Sequence, residues 1–293
     1  MRIDQCRLFV SLNVGCNSYG SAHSALFYNV NYMKQISRYG TQTIERTVTI
    51  LKELGTRGGI GWRLSDLAKS CELDRGTTHR ILACLVRERL ARQRGSDRRY
   101  VAGPLLFELG LSLSALASFQ SACGAPLARA ARRLNGVSLL CLRSGTEFVC
   151  AGRAGALEIK ALTIDVGTRR PLIVSVGGVA ILIALPKEEA RAIVTENLRQ
   201  LARFGAARIR SLQRTIQESE SRGYGVSQSE IVPGVSAFGV PILDAHERPF
   251  ASISIVGPSE NFPSPRIPEV IATVQREARS ISREAVRILG SGD

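Results

Sequence analysis

The stretch LSDLAKSCELDRGTTHRILACL, residues 64–85, sets two short apolar-periodic segments on either side of a break at Cys71 to Leu73. Leu64, Leu67, Leu73, Ile81, Leu82 and Leu85 supply packing residues, and Ala68 is small enough for two helices to touch there. Ser65 and Asp74 stand where each segment needs an acceptor for its early backbone N–H groups. The second segment, expected to run to about Arg89, opens with Arg75, Gly76, Thr77, Thr78, His79 and Arg80. Such short polar groups can reach base edges, and the N–H groups of a helix start favour phosphate oxygens. The bland alternative is a solvated helix start over a small three-helix core.

The surroundings favour a DNA reader. Upstream, Ile44, Val48, Leu51 and Leu54 recur at helical steps from Thr43, with Gly55 as the expected stop. Downstream, LARQRGSDRRYVAG has Gly95, Ser96 and Asp97 between two short strands, which is hairpin chemistry. A helix-turn-helix followed by a basic hairpin is a winged arrangement. Between Thr43 and Gly103 there are 13 Lys plus Arg against 7 Asp plus Glu, and Arg92, Arg94, Arg98 and Arg99 crowd the wing. Those four are expected to hold backbone phosphates, adding salt-sensitive affinity more than sequence choice. The expected DNA-contacting set is therefore Ser65, Arg75, Gly76, Thr77, Thr78, His79 and Arg80 with the four wing arginines.

The whole chain agrees with an anionic partner. It has 293 residues, enough for two domains, and a net charge of +14. Seven cysteines form no CxxC pair and several sit in apolar segments, so neither a disulfide framework nor a zinc site is expected and a reducing cytoplasm fits. The longest apolar run, residues 171–186, is too short for a bilayer and holds a serine and two glycines; it reads as buried core. Residues 1–40 lack a period and are expected to be a disordered arm, or an extension upstream of a start at Met33. Residues 41–103 then form the reader, 104–123 a linker helix and 124–293 a second domain; the leucine- and alanine-rich stretch from 105 to 134 reads as a connecting helix or helix pair, with Gly124 and Pro126 suggesting an interruption. In that domain a hairpin around Ser144 and Gly145, two helices, a long helix, three strands and a closing helix argue for an α+β fold.

At these residues the chain resembles the IclR family of bacterial transcription regulators. The resemblance rests on residues 64–85, on RRYVAGPLLFELG (98–110), and on RPLIVSVGGVAILIAL (170–185) and RGYGVSQSEIVPGVSAFGVPILDAHERPFASISIVGPSENF (222–262). It implies that Arg75, Thr77, Thr78, His79 and Arg80 lie on a recognition helix and that the second domain is a GAF-like effector-binding fold. Its pocket would be lined by Ile159, Arg170, Val176, Gly177, Ser227, Val235, Ala237, Ser254 and Val256, with N–H groups around Val176 to Gly178 receiving a carboxylate. Three reader positions depart from the family pattern: Glu72 stands for a common Gly, Gly76 for Ser and Thr78 for Val. In the second domain Ser227 and Gln228 replace a frequent acidic pair, and Val179 a frequent Lys. Losing acid removes a repulsion against anions, so a small organic acid, aromatic or otherwise catabolic, is the expected effector.

Two rivals remain. No HExxH, GxSxG, GxxxxGK or GxGxxG pattern is present and the three histidines are far apart in the expected fold, so no catalytic residue, metal or cofactor is expected. Alternatively, the second domain only assembles subunits. A homodimer or homotetramer on duplex DNA with two half-sites is expected either way, with no membrane partner; the apolar stretch from Leu105 to Leu116 is either the dimer seam or a cover for its own wing.

Overall fold

The computed structural model describes residues 41–159, 162, 164–228 and 232–290. The arm expected over 1–40 lies outside the described residues. Helix α1 (Gln42–Thr56) buries Ile50 and Leu54, whereas Ile44 and Val48 of the expected apolar stripe are exposed. Leu54 has Ile50 one turn behind it, and this pair meets the core; the Ile44–Val48 edge is rotated out of it. Gly55 lies inside the last turn and does not stop the helix.

Helix α2 (Leu64–Ser70) starts earlier than expected, at Leu64 after an extended Arg63. Ser65 is consequently inside the first turn, and its hydroxyl meets Asp66 Oδ1 at 3.3 Å instead of capping the helix. Helix α3 (Arg75–Arg87) has the expected cap: the Asp74 side chain accepts from the Thr77 N–H at 2.7 Å. It ends two residues short of Arg89, which takes φ 60°. The α2–α3 turn closes by two bonds, Leu73 N–H to Ala68 O (2.9 Å) and Glu72 N–H to Lys69 O (3.2 Å), with Glu72 at φ 54°. This is a Schellman closure whose left-handed position is usually glycine. A glutamate there costs on the order of 1 kcal/mol.

Strands β1 (Ala91–Gln93) and β2 (Tyr100–Ala102) pair antiparallel as the wing. Trp62 bridges to Tyr100 and donates its indole N–H to Glu53 O at 2.8 Å, tying the wing to α1. Ile50, Leu54, Trp62, Leu67, Leu82 and Tyr100 close one core around these elements.

Three helices come next: α4 (Pro104–Gly110), α5 (Ser114–Ala122) and α6 (Gly124–Leu134). The expected linker 104–123 is thus two helices, and its second half packs into the core of the C-terminal part. Phe119 and Cys123 are buried with Leu127, Phe250 and Ile281, because Phe119 finds an aromatic partner in Phe250 at a ring-centre distance of 5.7 Å.

The C-terminal part is built on one antiparallel sheet of order β5-β4-β3-β8-β7-β6. Its strands are β3 (Val137–Ser144), β4 (Glu147–Ala154), β5 (Arg169–Pro171), β6 (Gly225–Gln228), β7 (Val235–Leu243) and β8 (Pro249–Pro258). The period-two alternation of β8 decides what each face meets. Ala251, Ile253 and Ile255 pack toward α5, α6 and the closing helix α10 (Ile267–Leu289); Val256 joins a second cluster on the other face with Val137, Leu139 and Cys150. That other face carries α7 (Val176–Ile183), with α8 (Lys187–Leu201) and α9 (Ala206–Arg222) outside it.

Helix α7 approaches its neighbours too closely for side chains at two points. A Cβ on Gly178 would stand 2.1 Å from Leu172 O, and one on Gly225 would stand 2.4 Å from Val176 O. Gly178→Ala is therefore expected to destabilise the protein by roughly 1–3 kcal/mol, the range of overpacked cores. Gly124→Ala, where the added methyl meets nothing within 4 Å, should leave the melting temperature level or raise it. Equal melting temperatures for Gly178→Ala and the parent chain would contradict the packing described.

Candidate DNA-reading surface and effector cavity

The start of α3 presents Arg75, Gly76, His79 and Arg80 to solvent. Thr77 is half-buried, and its hydroxyl accepts from Arg80 Nη2 at 3.2 Å, which restrains that guanidinium. Thr78 departs from expectation. It is fully buried, its hydroxyl donates to Asp74 O at 2.9 Å, and it faces the core instead of outward. Thr78 lies three residues before Ile81 and four before Leu82, on the stripe those residues bury, so helix geometry withdraws it from any base edge. Ser65 is exposed at the start of α2.

The wing also divides its arginines. Arg92 and Arg98 are exposed, and among the described residues their side chains have no hydrogen-bond or ion-pair partner. Arg94 is tied down: its guanidinium donates to the Gly59 and Ile60 carbonyls and pairs with Asp97 at 2.6 Å. Arg99 pairs with the same carboxylate at 3.4 Å. The two guanidiniums, together with the Arg99 N–H, hold the Asp97 carboxyl below its ordinary value even though burial opposes them. Arg94 and Arg99 thus brace the wing against the 58–60 turn, while Arg92 and Arg98 remain the ones available to an anion. A +14 charge could not reveal this division, because it depends on which side chains find carboxylates and carbonyls after folding.

On the open face of the large sheet, all nine residues of the expected effector set line one cavity of about 1320 Å³. Ile159, Val235, Ala237 and Val256 form apolar wall; Val176 and Gly177 bring the start of α7; Ser227 and Ser254 come from strands of the sheet. Arg170 reaches it from β5, and among the described residues its side chain has no ion pair or hydrogen bond. Its neighbour Arg169 is held by Glu147 at 3.0 Å and Ser144 at 2.9 Å. Ser254 likewise has no hydroxyl partner among the described residues.

One detail of the helix start differs from expectation. Ser175 caps α7 by accepting from Gly178 N–H at 3.0 Å, so that N–H is taken. Only the first two helical positions, Val176 and Gly177, keep N–H groups that the helix itself cannot satisfy. Sequence reasoning missed Ser175 although its signature was readable: a serine three residues ahead of a glycine opening an apolar run. It also missed Cys141 and the reach of the cavity to Glu53, Arg57 and Glu72 of the winged part, for which no local pattern exists.

Two domain patterns match the chain: the one described as the IclR helix-turn-helix domain over residues 43–95, and the one described as the bacterial transcriptional regulator IclR C-terminal domain over residues 122–283. The second alone covers more than half of the sequence. The chain belongs to the IclR family. Its relatives include the HTH-type transcriptional repressor AllR of Klebsiella pneumoniae, 28% identical over 252 residues, which span 83% of this chain and 89% of AllR. An IclR-family regulator of Brucella abortus has the same fold, with a TM-score of 0.66 at 18% identity, covering 86% of this chain and 95% of that one. So has an IclR homologue of Microbacterium hydrocarbonoxydans solved with 4-hydroxybenzoate, with a TM-score of 0.60 at 19% identity over 84% of this chain and 99% of that one.

This IclR-family member is accordingly a DNA-binding transcriptional regulator with a C-terminal effector domain, and not an enzyme. Cys141 and Cys150 face each other in register on β3 and β4, both buried, and burial is the main cause pushing both thiols up, Cys150 to about 11. Thiols so placed are poor nucleophiles at neutral pH. Among the described residues no group of three His, Cys, Asp or Glu side chains could hold a metal ion, and no single helix is long and apolar enough to cross a membrane.

The wing arginines give a direct test. Arg94→Ala should lower stability by up to about 1 kcal/mol, since the charge-assisted bonds it removes go to exposed partners. Arg92→Ala should leave the thermal midpoint within error and weaken duplex binding most at low salt. Thermal denaturation alongside anisotropy titrations at several salt concentrations reads both, and a reversed pattern would contradict the roles assigned.

Proposed function

We propose that this IclR-family regulator reads an operator of two half-sites with α3 and the wing, and that a small organic acid in the sheet-face cavity changes that binding. On this reading Arg75, Gly76, Thr77, His79 and Arg80 serve the groove, Ser65, Arg92 and Arg98 serve the backbone, and the regulator works in the cytoplasm. The observation carrying the effector class is Arg170: a guanidinium with no partner among the described residues, in a cavity whose polar groups include the Ser227 and Ser254 hydroxyls and the first N–H groups of α7. A carboxylate would meet a fixed positive charge and short donors there, with apolar wall for the rest of the molecule. The 4-hydroxybenzoate carried by the Microbacterium homologue is an acid of that kind. The effector would act by binding more tightly to one spacing of two reading heads than to another.

Pairing of two copies is supported by α4 and the turn after it. Phe107, Leu109, Leu111 and Leu113 are 72%, 56%, 64% and 51% exposed, an apolar run that a second copy would cover. A second reading is that the C-terminal domain senses no ligand and that the chain only assembles subunits, through this surface among others. Isothermal titration with a panel of aromatic and aliphatic acids, on protein whose dimer state is fixed by sedimentation, separates the two. Heat for at least one acid, lost in Arg170→Ala, supports sensing; a dimer giving no heat with any acid supports assembly alone.

For the reader, His79→Ala with Arg80→Ala should weaken specific binding by about 10- to 100-fold, the scale of removing one or two interactions with bases or phosphates. An unaltered footprint of this double variant on the DNA upstream of its own gene would remove α3 from the groove.

A further inference from the structure

On the sheet face opposite the cavity, α6 and α10 pack side by side and leave a groove of about 600 Å³ lined by Arg129, Arg132, Arg133, Arg276 and Arg283 around Glu277. Glu277 is 3% exposed and is shared by Arg129 at 2.7 Å and Arg276 at 3.4 Å; Arg133 meets the exposed Glu269 at 3.4 Å. Arg132, Arg279 and Arg283 are exposed, and among the described residues they have no carboxylate partner. Arg129, Arg133 and Arg276 are thus ion-paired, while Arg132 and Arg283 of the groove are left uncompensated, as is Arg279 on α10, over a neighbouring groove that also holds Asp244 and Glu247.

From these observations we infer that the α6–α10 face is a second DNA-contacting surface, which takes the phosphate backbone of duplex outside the sequence read by the wing and α3. The spacing suits a linear polyanion. Arg276, Arg279 and Arg283 recur at steps of three and four on one side of α10, about 10 Å of helix, and one DNA strand presents about three phosphates over that length. This face is turned away from the cavity that the winged part borders, so the duplex it takes lies beyond the read sequence and not within it. A second copy of the chain is a poor occupant, because the same uncompensated arginines would face each other. Arginine at these positions matches phosphate oxygens by paired N–H groups as well as by charge.

The test uses the full chain and a mixed-sequence 40-base-pair duplex, with affinity measured by fluorescence anisotropy from low to moderate salt. R132Q/R279Q/R283Q should reduce the slope of log affinity against log salt by about 2–3, close to 0.9 for each phosphate no longer neutralised, while the melting temperature is unchanged. The matching lysine variant should keep most of the slope. A chain carrying R75Q/R80Q/R92Q should retain weak binding that disappears when the three α6–α10 changes are added. Wild-type slope and affinity in R132Q/R279Q/R283Q would overturn the inference and leave the winged reader standing. A slope unmoved by R75Q/R80Q/R92Q would instead sink the reader assignment, and a parent chain that binds no duplex would sink both.

Discussion

The start of helix α7 comes within backbone contact of the large sheet and of the turn after β5, and the effector end of the protein depends on that contact. With Gly178 against the Leu172 carbonyl and Gly225 under Val176, the helix start comes down far enough to form one wall of the cavity. Any side chain at those two points would lift it. The Ser175 cap then fixes where the helix begins, leaving the N–H groups of Val176 and Gly177 at the cavity rim. The apolar run 171–186, too short for a membrane, is accordingly a piece of internal architecture: Val179, Ala180, Ile181 and Leu182 are all buried. Its glycines matter as much as its hydrophobic residues, because close packing tolerates no atom without space.

The winged part obeys a comparable constraint with a different solution. Its two helix ends close through left-handed residues that are not glycine, Glu72 and Arg89, and the second closure repeats the first, with Leu90 N–H to Leu85 O at 2.8 Å. The strain is outweighed by Leu67, Leu82 and Leu85 meeting in one small core. That core also claims Thr78, so the reading face of α3 is narrower than its run of polar residues suggests. Arg75, His79 and Arg80 share it, with Thr77 supporting Arg80 from below.

Charge is sorted by the fold. Some arginines are structural: Arg94 across the wing, Arg129 on the buried Glu277, Arg143 beside Glu189 and Arg169 on Glu147. Others, including Arg92, Arg98, Arg132, Arg170, Arg279 and Arg283, have no such partner among the described residues. These guanidiniums fall on the wing, the cavity and the outer sides of α6 and α10, where an anion can be met without first breaking an internal bond. Paired arginines cannot do so at comparable cost.

Much of this was legible in the sequence because it depends on neighbours along the chain. The Asp74 cap, the Gly145 hairpin, the basic wing and the periodic packing of residues 64–85 all express local spacing, and the glycine and serine pattern from 222 to 262 carried the family and much of the cavity wall. The sequence by itself therefore determined the order of elements, the α+β class and the kind of protein. Tertiary structure decided what local spacing cannot. It chose Ile50 over Ile44 as the core edge of α1, turned Thr78 inward, drew Phe119 of the expected linker into the sheet core, and separated bracing arginines from free ones. The reason is common to all four: burial and charge pairing are settled between segments distant along the chain, so a side chain's role depends on the groups that folding brings to it and not on its immediate neighbours in sequence.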